Sequence, residues 1–116
     1  KDALLSFHEE LKDLGERWLF ICSNSGHKAC HDKMEKSFDG SDNYRRYEVF
    51  GGMCSTGEIE KMRKIVQEDH IDVVCGIGGG SAIDTAKAVA YYEKIPVAVV
   101  PTVIATDAPC TGLLQR

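Results

Sequence analysis

Four short runs constrain this chain more than any other feature: Trp18-Leu19-Phe20-Ile21-Cys22, Tyr47-Glu48-Val49-Phe50, Ile71-Asp72-Val73-Val74-Cys75 and Pro96-Val97-Ala98-Val99-Val100. Each has the length and the β-branched or aromatic content of a strand. Stretches with helical spacing lie between them, so strands recur at intervals of about 25 residues. That separation is too long for tight hairpins and suits crossover helices between parallel neighbours. The pattern predicts an α/β fold with an open, mostly parallel sheet flanked by helices.

The helical stretches carry their own signals. Leu4, Phe7, Leu11 and Leu14 recur at steps of three and four before Gly15, so the chain opens inside a helix and without methionine, which predicts a piece of something longer. Ser23-Asn24-Ser25-Gly26 reads as a polar turn, with a helix from about Lys28 to Phe38 and a loop at Asp39 to Asn43. Ser55 and Glu58 have capping-box spacing, and Ile59, Met62, Ile65 and Val66 form an apolar stripe behind them. A further helix is predicted from Ala82 to Tyr92.

At 116 residues the chain holds one domain, spanning 1–116. Fourteen Lys and Arg against 18 Asp and Glu leave a net charge of −4, which gives no positive field for nucleic acid or an anionic membrane. No apolar run approaches the roughly 20 residues that span a bilayer, and no secretory signal opens the sequence, so a cytoplasmic protein is expected. Five cysteines without a Cys-x-x-Cys pair are read as reduced, with Cys75 a small buried hydrophobe.

Glycines where a strand meets a helix let backbone amides and the positive helix end approach an anion. The segment from Gly76 to Ser81 is therefore a candidate pyrophosphate site. It lacks the Gly-Lys-Ser/Thr ending of a P-loop, since Ser81 and Ala82 follow Gly80. It is also a poor match to the usual Gly-x-Gly-x-x-Gly fingerprint, because Ser81 stands at the third glycine position and the turn follows the third strand. Thr102 closes the fourth strand, at the end of the sheet where ligands of open α/β folds gather.

Gly78-Gly79-Gly80-Ser81-Ala82-Ile83-Asp84-Thr85-Ala86-Lys87 and Pro101-Thr102-Val103-Ile104-Ala105-Thr106-Asp107-Ala108-Pro109-Cys110 resemble signature segments of the iron-containing alcohol dehydrogenase superfamily, most closely its metal-dependent polyol (glycerol) dehydrogenases. The resemblance extends to Glu16-Arg17-Trp18-Leu19 and Phe50-Gly51-Gly52-Met53-Cys54-Ser55. It implies the Rossmann-like amino-terminal domain of a two-domain dehydrogenase whose helical second domain is absent here. The implied reaction is oxidation of a polyol such as glycerol to dihydroxyacetone with NAD. The resemblance further implies a divalent metal, zinc, held by one aspartate and two histidines beyond Arg116, and a homo-oligomer of the full-length protein. On its own this chain is expected to be inactive.

By the same resemblance Gly80, Ser81, Ala82, Ile83, Asp84, Thr102, Ala105, Thr111 and Leu113 bind the cofactor, and Asp107 binds the polyol. A carboxylate beside a pyrophosphate repels it, so Asp84 is assigned to the carboxamide or a backbone amide. First-turn helix stabilisation or pairing with Lys87 remains its alternative, as helix capping does for Asp107 and core packing for Leu113. In the family the first strand ends in an aspartate that grips the adenosine ribose, whereas here Ser23 stands there. Ser23 is kept as a ribose contact, and NADP stays open beside NAD. His27 and His31 share a helix face but lack a third ligand, so no metal is assigned to them. A different alcohol, glycerol 1-phosphate, or a stand-alone nucleotide-binding module without catalysis remain the competing readings.

Overall fold

The computed structural model describes residues 7–50 and 54–102. In chain order the elements are α1 (Phe7–Leu11), continued by a tighter turn over Lys12–Leu14, then β1 (Arg17–Cys22), α2 (Asn24–Ser37), β2 (Tyr44–Val49), α3 (Thr56–Glu68), β3 (Val73–Gly78), α4 (Gly80–Glu93) and β4 (Val97–Pro101). The strands lie in the order β2-β1-β3-β4, and all three neighbouring pairs are parallel. The predicted α/β architecture with a parallel sheet is therefore the observed one.

The sheet is covered on both faces, which is why β1 and β3 read as nearly unbroken apolar runs rather than alternating ones. Trp18, Phe20 and Cys22 point to one side, where Leu11 of α1, Cys30 and Met34 of α2, and Phe38 just after α2 pack on them. Phe38 meets Trp18 and Phe20 edge-on, at centroid distances of 5.6 and 5.9 Å. Leu19 and Ile21 point to the other side, against Met62 and Val66 of α3 and Ala82, Ala86 and Val89 of α4. Each such large apolar side chain, fully buried, contributes roughly 1.5–3 kcal/mol.

Several boundaries differ from the sequence expectation. α2 begins at Asn24 instead of Lys28, because Ser23 caps it by accepting a hydrogen bond from Gly26 N at 3.0 Å. The polar turn is thus the first turn of a helix. β2 starts at Tyr44, three residues before the expected run, because its arginines are neutralised in place. Arg45 makes a two-pronged pair with Glu35, both contacts at 2.8 Å, while Arg46 reaches Glu48 and Asp69, also at 2.8 Å. β3 continues through Gly76, Ile77 and Gly78, so those glycines are strand residues and the turn itself is a single residue, Gly79.

Cys22, Cys54 and Cys75 carry free thiols, and burial pushes that of Cys22 up to about 12. Cys75 is fully buried, as expected of a small hydrophobe. Cys30 is disulfide-bonded, contrary to the expectation of reduced cysteines; spacing along the chain does not reveal which thiols a fold brings together.

Candidate functional site: a crevice where the strand order reverses

From β1 the chain passes through α2 to β2 on one side, and from β3 it passes through α4 to β4 on the other. α2 and α4 cover opposite faces of the sheet. The first turns of the two helices therefore diverge beyond the carboxyl ends of β1 and β3, which is where open α/β sheets hold ligands. Two backbone bonds tie the neighbours to the end of β3. Ser23 N donates to Ile77 O at 3.0 Å, and Thr102 N donates to Gly78 O at 3.0 Å.

The glycines of this region divide into two kinds. A Cβ on Gly76 would meet Ala86 Cβ at 2.8 Å and Ala82 O at 3.1 Å, so its absence lets α4 lie close on β3. Gly78 has φ +141°, a conformation that side chains resist, and a Cβ there would strike Ser23 Oγ. A Cβ on Gly26 would meet Ile77 O at 2.7 Å and Gly78 Cα at 3.1 Å, so α2 is pressed against the same strand end. Gly79 and Gly80 are different, because no atom of the described residues lies within 4 Å of a Cβ built on either. Their missing side chains open space toward solvent.

That space faces hydrogen-bond donors. The first turn of α4 closes with Ile83 N donating to Gly79 O at 3.1 Å. The amides of Gly80, Ser81 and Ala82 precede it, no side chain of the described residues caps them, and no acidic residue sits in the first turn. Such an end holds about half a positive charge and presents its amides to an anion. The arrangement fits the pyrophosphate of a dinucleotide, since an added methyl on Gly79 or Gly80 would occupy the approach.

Of the predicted positions, Ser23, Gly80, Ser81, Ala82, Ile83, Asp84 and Thr102 come together at this end of the sheet. The Ala82 methyl is buried in the core, so its amide is what faces the crevice. Asp84 is exposed and forms no ion pair with Lys87 among the described residues, which leaves its carboxylate available. Ser23 serves first as the cap of α2, its Oγ lying 3.5 Å from Ser25 Oγ. Ala105, Asp107, Thr111 and Leu113 lie outside the described residues.

Sequence reasoning missed two features. The first is Gly26, expected in a polar turn but packed in the first turn of α2, which Ser23 three residues before it could have signalled as a cap. The second is a groove of about 600 Å³ at the carboxyl ends of β1 and β2, lined by Asn24, Ser25, His27, Lys28 and Val49. Nearby, the rings of His27 and His31 lie 4.9 Å apart, and both rest on the Tyr47 ring. Burial, then the neighbouring His31, keeps the His27 imidazole below its ordinary pKa, so it is neutral at pH 7.

Residues 1–114 match the sequence pattern of the family described as iron-containing alcohol dehydrogenase. The chain is 39% identical over 112 residues to glycerol dehydrogenase of Escherichia coli O6:H1, covering 97% of this chain and 30% of that protein. With glycerol dehydrogenase of Thermotoga maritima the identity is 41% over 118 residues, covering 96% and 30%. In three dimensions it is similar to a probable glycerol dehydrogenase from Sinorhizobium meliloti, with TM-score 0.74, 33% identity, and coverage of 90% of this chain and 27% of that one. An iron-containing alcohol dehydrogenase from Thermotoga maritima gives TM-score 0.70 at 27% identity, covering 90% and 35%. The chain thus spans about 30% of the length of the curated relatives it matches.

Proposed function

The chain belongs to the iron-containing alcohol dehydrogenase family, and we propose that residues 1–116 form the dinucleotide-binding domain of a metal-dependent polyol dehydrogenase. The reaction proposed for the whole polypeptide is oxidation of glycerol to dihydroxyacetone with NAD, carried out by a homo-oligomer. One observation carries the reading: among the described residues, Gly79 and Gly80 leave open space in front of three uncapped amides, at the place where the strand order reverses.

In this reading the amides of Gly80, Ser81 and Ala82 hold the pyrophosphate, and Ile83 and Thr102 flank it. The Asp84 carboxylate lies one helical turn on and accepts from the carboxamide rather than meeting the phosphates. Ala105, Thr111 and Leu113 extend the same wall, and Ser23 hydrogen-bonds the adenosine ribose. Asp107 accepts from the polyol hydroxyls. NAD, when bound, supplies the hydride acceptor.

The proposal includes a divalent metal, zinc, in the whole polypeptide. Among the described residues no group of three or more His, Cys, Asp and Glu side chains could hold it. The proposal gives its ligands, one aspartate and two histidines, to residues beyond Arg116.

The test is NADH formation by the whole polypeptide with glycerol. Turnover that a chelator abolishes and zinc restores is the expected result, with none from the 116-residue chain alone. A zinc-loaded polypeptide that binds NAD yet oxidises neither glycerol nor other polyols would contradict the dehydrogenase reading. Failure to bind NAD would contradict the crevice itself.

A further inference from the structure

We propose that the groove lined by Asn24, Ser25, His27, Lys28 and Val49 receives the 2′-phosphate of an adenine dinucleotide, so that this chain accepts NADP as well as NAD, with Lys28 as the deciding residue. The inference rests on the dinucleotide reading given above.

The direction of the ligand across the sheet comes first. Ser23, the proposed ribose contact, directly follows β1, so the adenosine end lies toward β1 and β2 and the nicotinamide end toward β4. β1 lies next to β3, about 4.8 Å away. A pyrophosphate at the start of α4 therefore puts its adenosine ribose over Ser23, at the end of β1. The groove opens immediately beyond, and at about 600 Å³ it has room for a ribose phosphate. Ser25 links the two places, its Oγ lying 3.5 Å from that of Ser23.

The chemistry of the lining then separates the two cofactors. A carboxylate here would accept from a ribose 2′-hydroxyl and repel a 2′-phosphate. None of the described residues that line it is acidic. The acids nearest in sequence are engaged or turned away. Asp32 on α2 lies 3.3 Å from His31, and Glu48, which alternates with Val49 to the opposite face of β2, is held by Arg46 at 2.8 Å. Lys28 is exposed and forms no ion pair among the described residues, so its ammonium is free to meet a phosphate. Asn24 and Ser25 are exposed and add an amide and a hydroxyl donor. His27 is neutral at pH 7 and offers a hydrogen bond rather than charge.

The test measures dissociation constants of the whole polypeptide for NAD, NADP, AMP and adenosine 2′,5′-bisphosphate, the last two reporting only the adenosine end. The unaltered protein should bind NADP and NAD within about fivefold of each other, and the bisphosphate more tightly than AMP. Lys28→Ala should weaken NADP and the bisphosphate about tenfold while moving NAD and AMP less than about twofold, the loss of one charge-assisted hydrogen bond. Ser23→Asp should turn the ratio toward NAD by about tenfold or more. NAD bound about 100-fold more tightly than NADP, or a Lys28→Ala variant that weakens both alike, would overturn this inference and leave the proposed function standing. If neither dinucleotide binds, the proposed function falls and takes the inference with it.

Discussion

Gly76, Gly78, Gly79 and Gly80 share one short run, yet their surroundings assign them opposite work. A methyl on Gly76 collides with Ala86 and the α4 backbone, and one on Gly78 meets Ser23 in a strained conformation. Gly76→Ala and Gly78→Ala should each lower stability by about 1–3 kcal/mol in urea denaturation. Among the described residues Gly80 has open space before it, so Gly80→Ala should stay within about 0.5 kcal/mol of the parent, yet weaken NAD binding about tenfold or more. Equal destabilisation by all three would mean that the run is only a packing device. The run was legible in the sequence as a strand-to-helix junction. Its division was not, because it depends on Ala86 from later in α4 and on Ser23, the cap of α2, more than 50 residues away in sequence.

At the scale of elements, β2 shows why boundaries are harder to read than existence. The strand is expected only from Tyr47, but β2 takes in Tyr44, Arg45 and Arg46 as well, because at the edge of the described sheet their charges find partners. Glu35 of α2 accepts from Arg45 twice and from Tyr47 Oη at 2.6 Å. These bonds, the Arg45 guanidinium first, hold its carboxyl below the ordinary 4.5. An acid with a depressed folded-state pKa stabilises the fold above its ordinary pKa, and that contribution is lost as pH falls through the folded value. Unfolding midpoints should thus decline below about pH 4.5, and Glu35→Gln should be less stable at pH 7 with a shallower acid decline. An identical acid slope in both proteins would show that Glu35 contributes nothing to it. The start of α3 was read from spacing alone. Ser55 does accept from Glu58 N, but the bond is long at 3.3 Å and Glu58 Oε1 has no partner, so only half the capping box forms. Ser55→Ala should accordingly cost about 0.5–1 kcal/mol, at the low end for a cap, in thermal unfolding.

For the molecule as a whole, the periodic signals sufficed for the architecture because parallel strands joined by helices leave few alternatives. The candidate site was legible only in its position at the end of the sheet, where it is made of local backbone at Gly80 to Asp84 and of Thr102, which the end of a strand places. The groove at Asn24 to Lys28 was not, because it exists only once α2 starts at Asn24 and Val49 of β2 closes one side. The chain spans about 30% of its relatives' length, so the wall of the cleft that it builds is one of two in the account proposed here. That account predicts a half-site, binding the dinucleotide weakly but in a defined place.

The most direct measurement is a titration of the chain with NAD, followed at each backbone amide by NMR. The amides of Ser23, Gly79 to Asp84 and Thr102 should shift together and saturate, while those of α3 stay still. Saturable shifts elsewhere on the molecule, or none at these amides at millimolar NAD, would contradict the assignment of the crevice between β1 and β3 as the dinucleotide site.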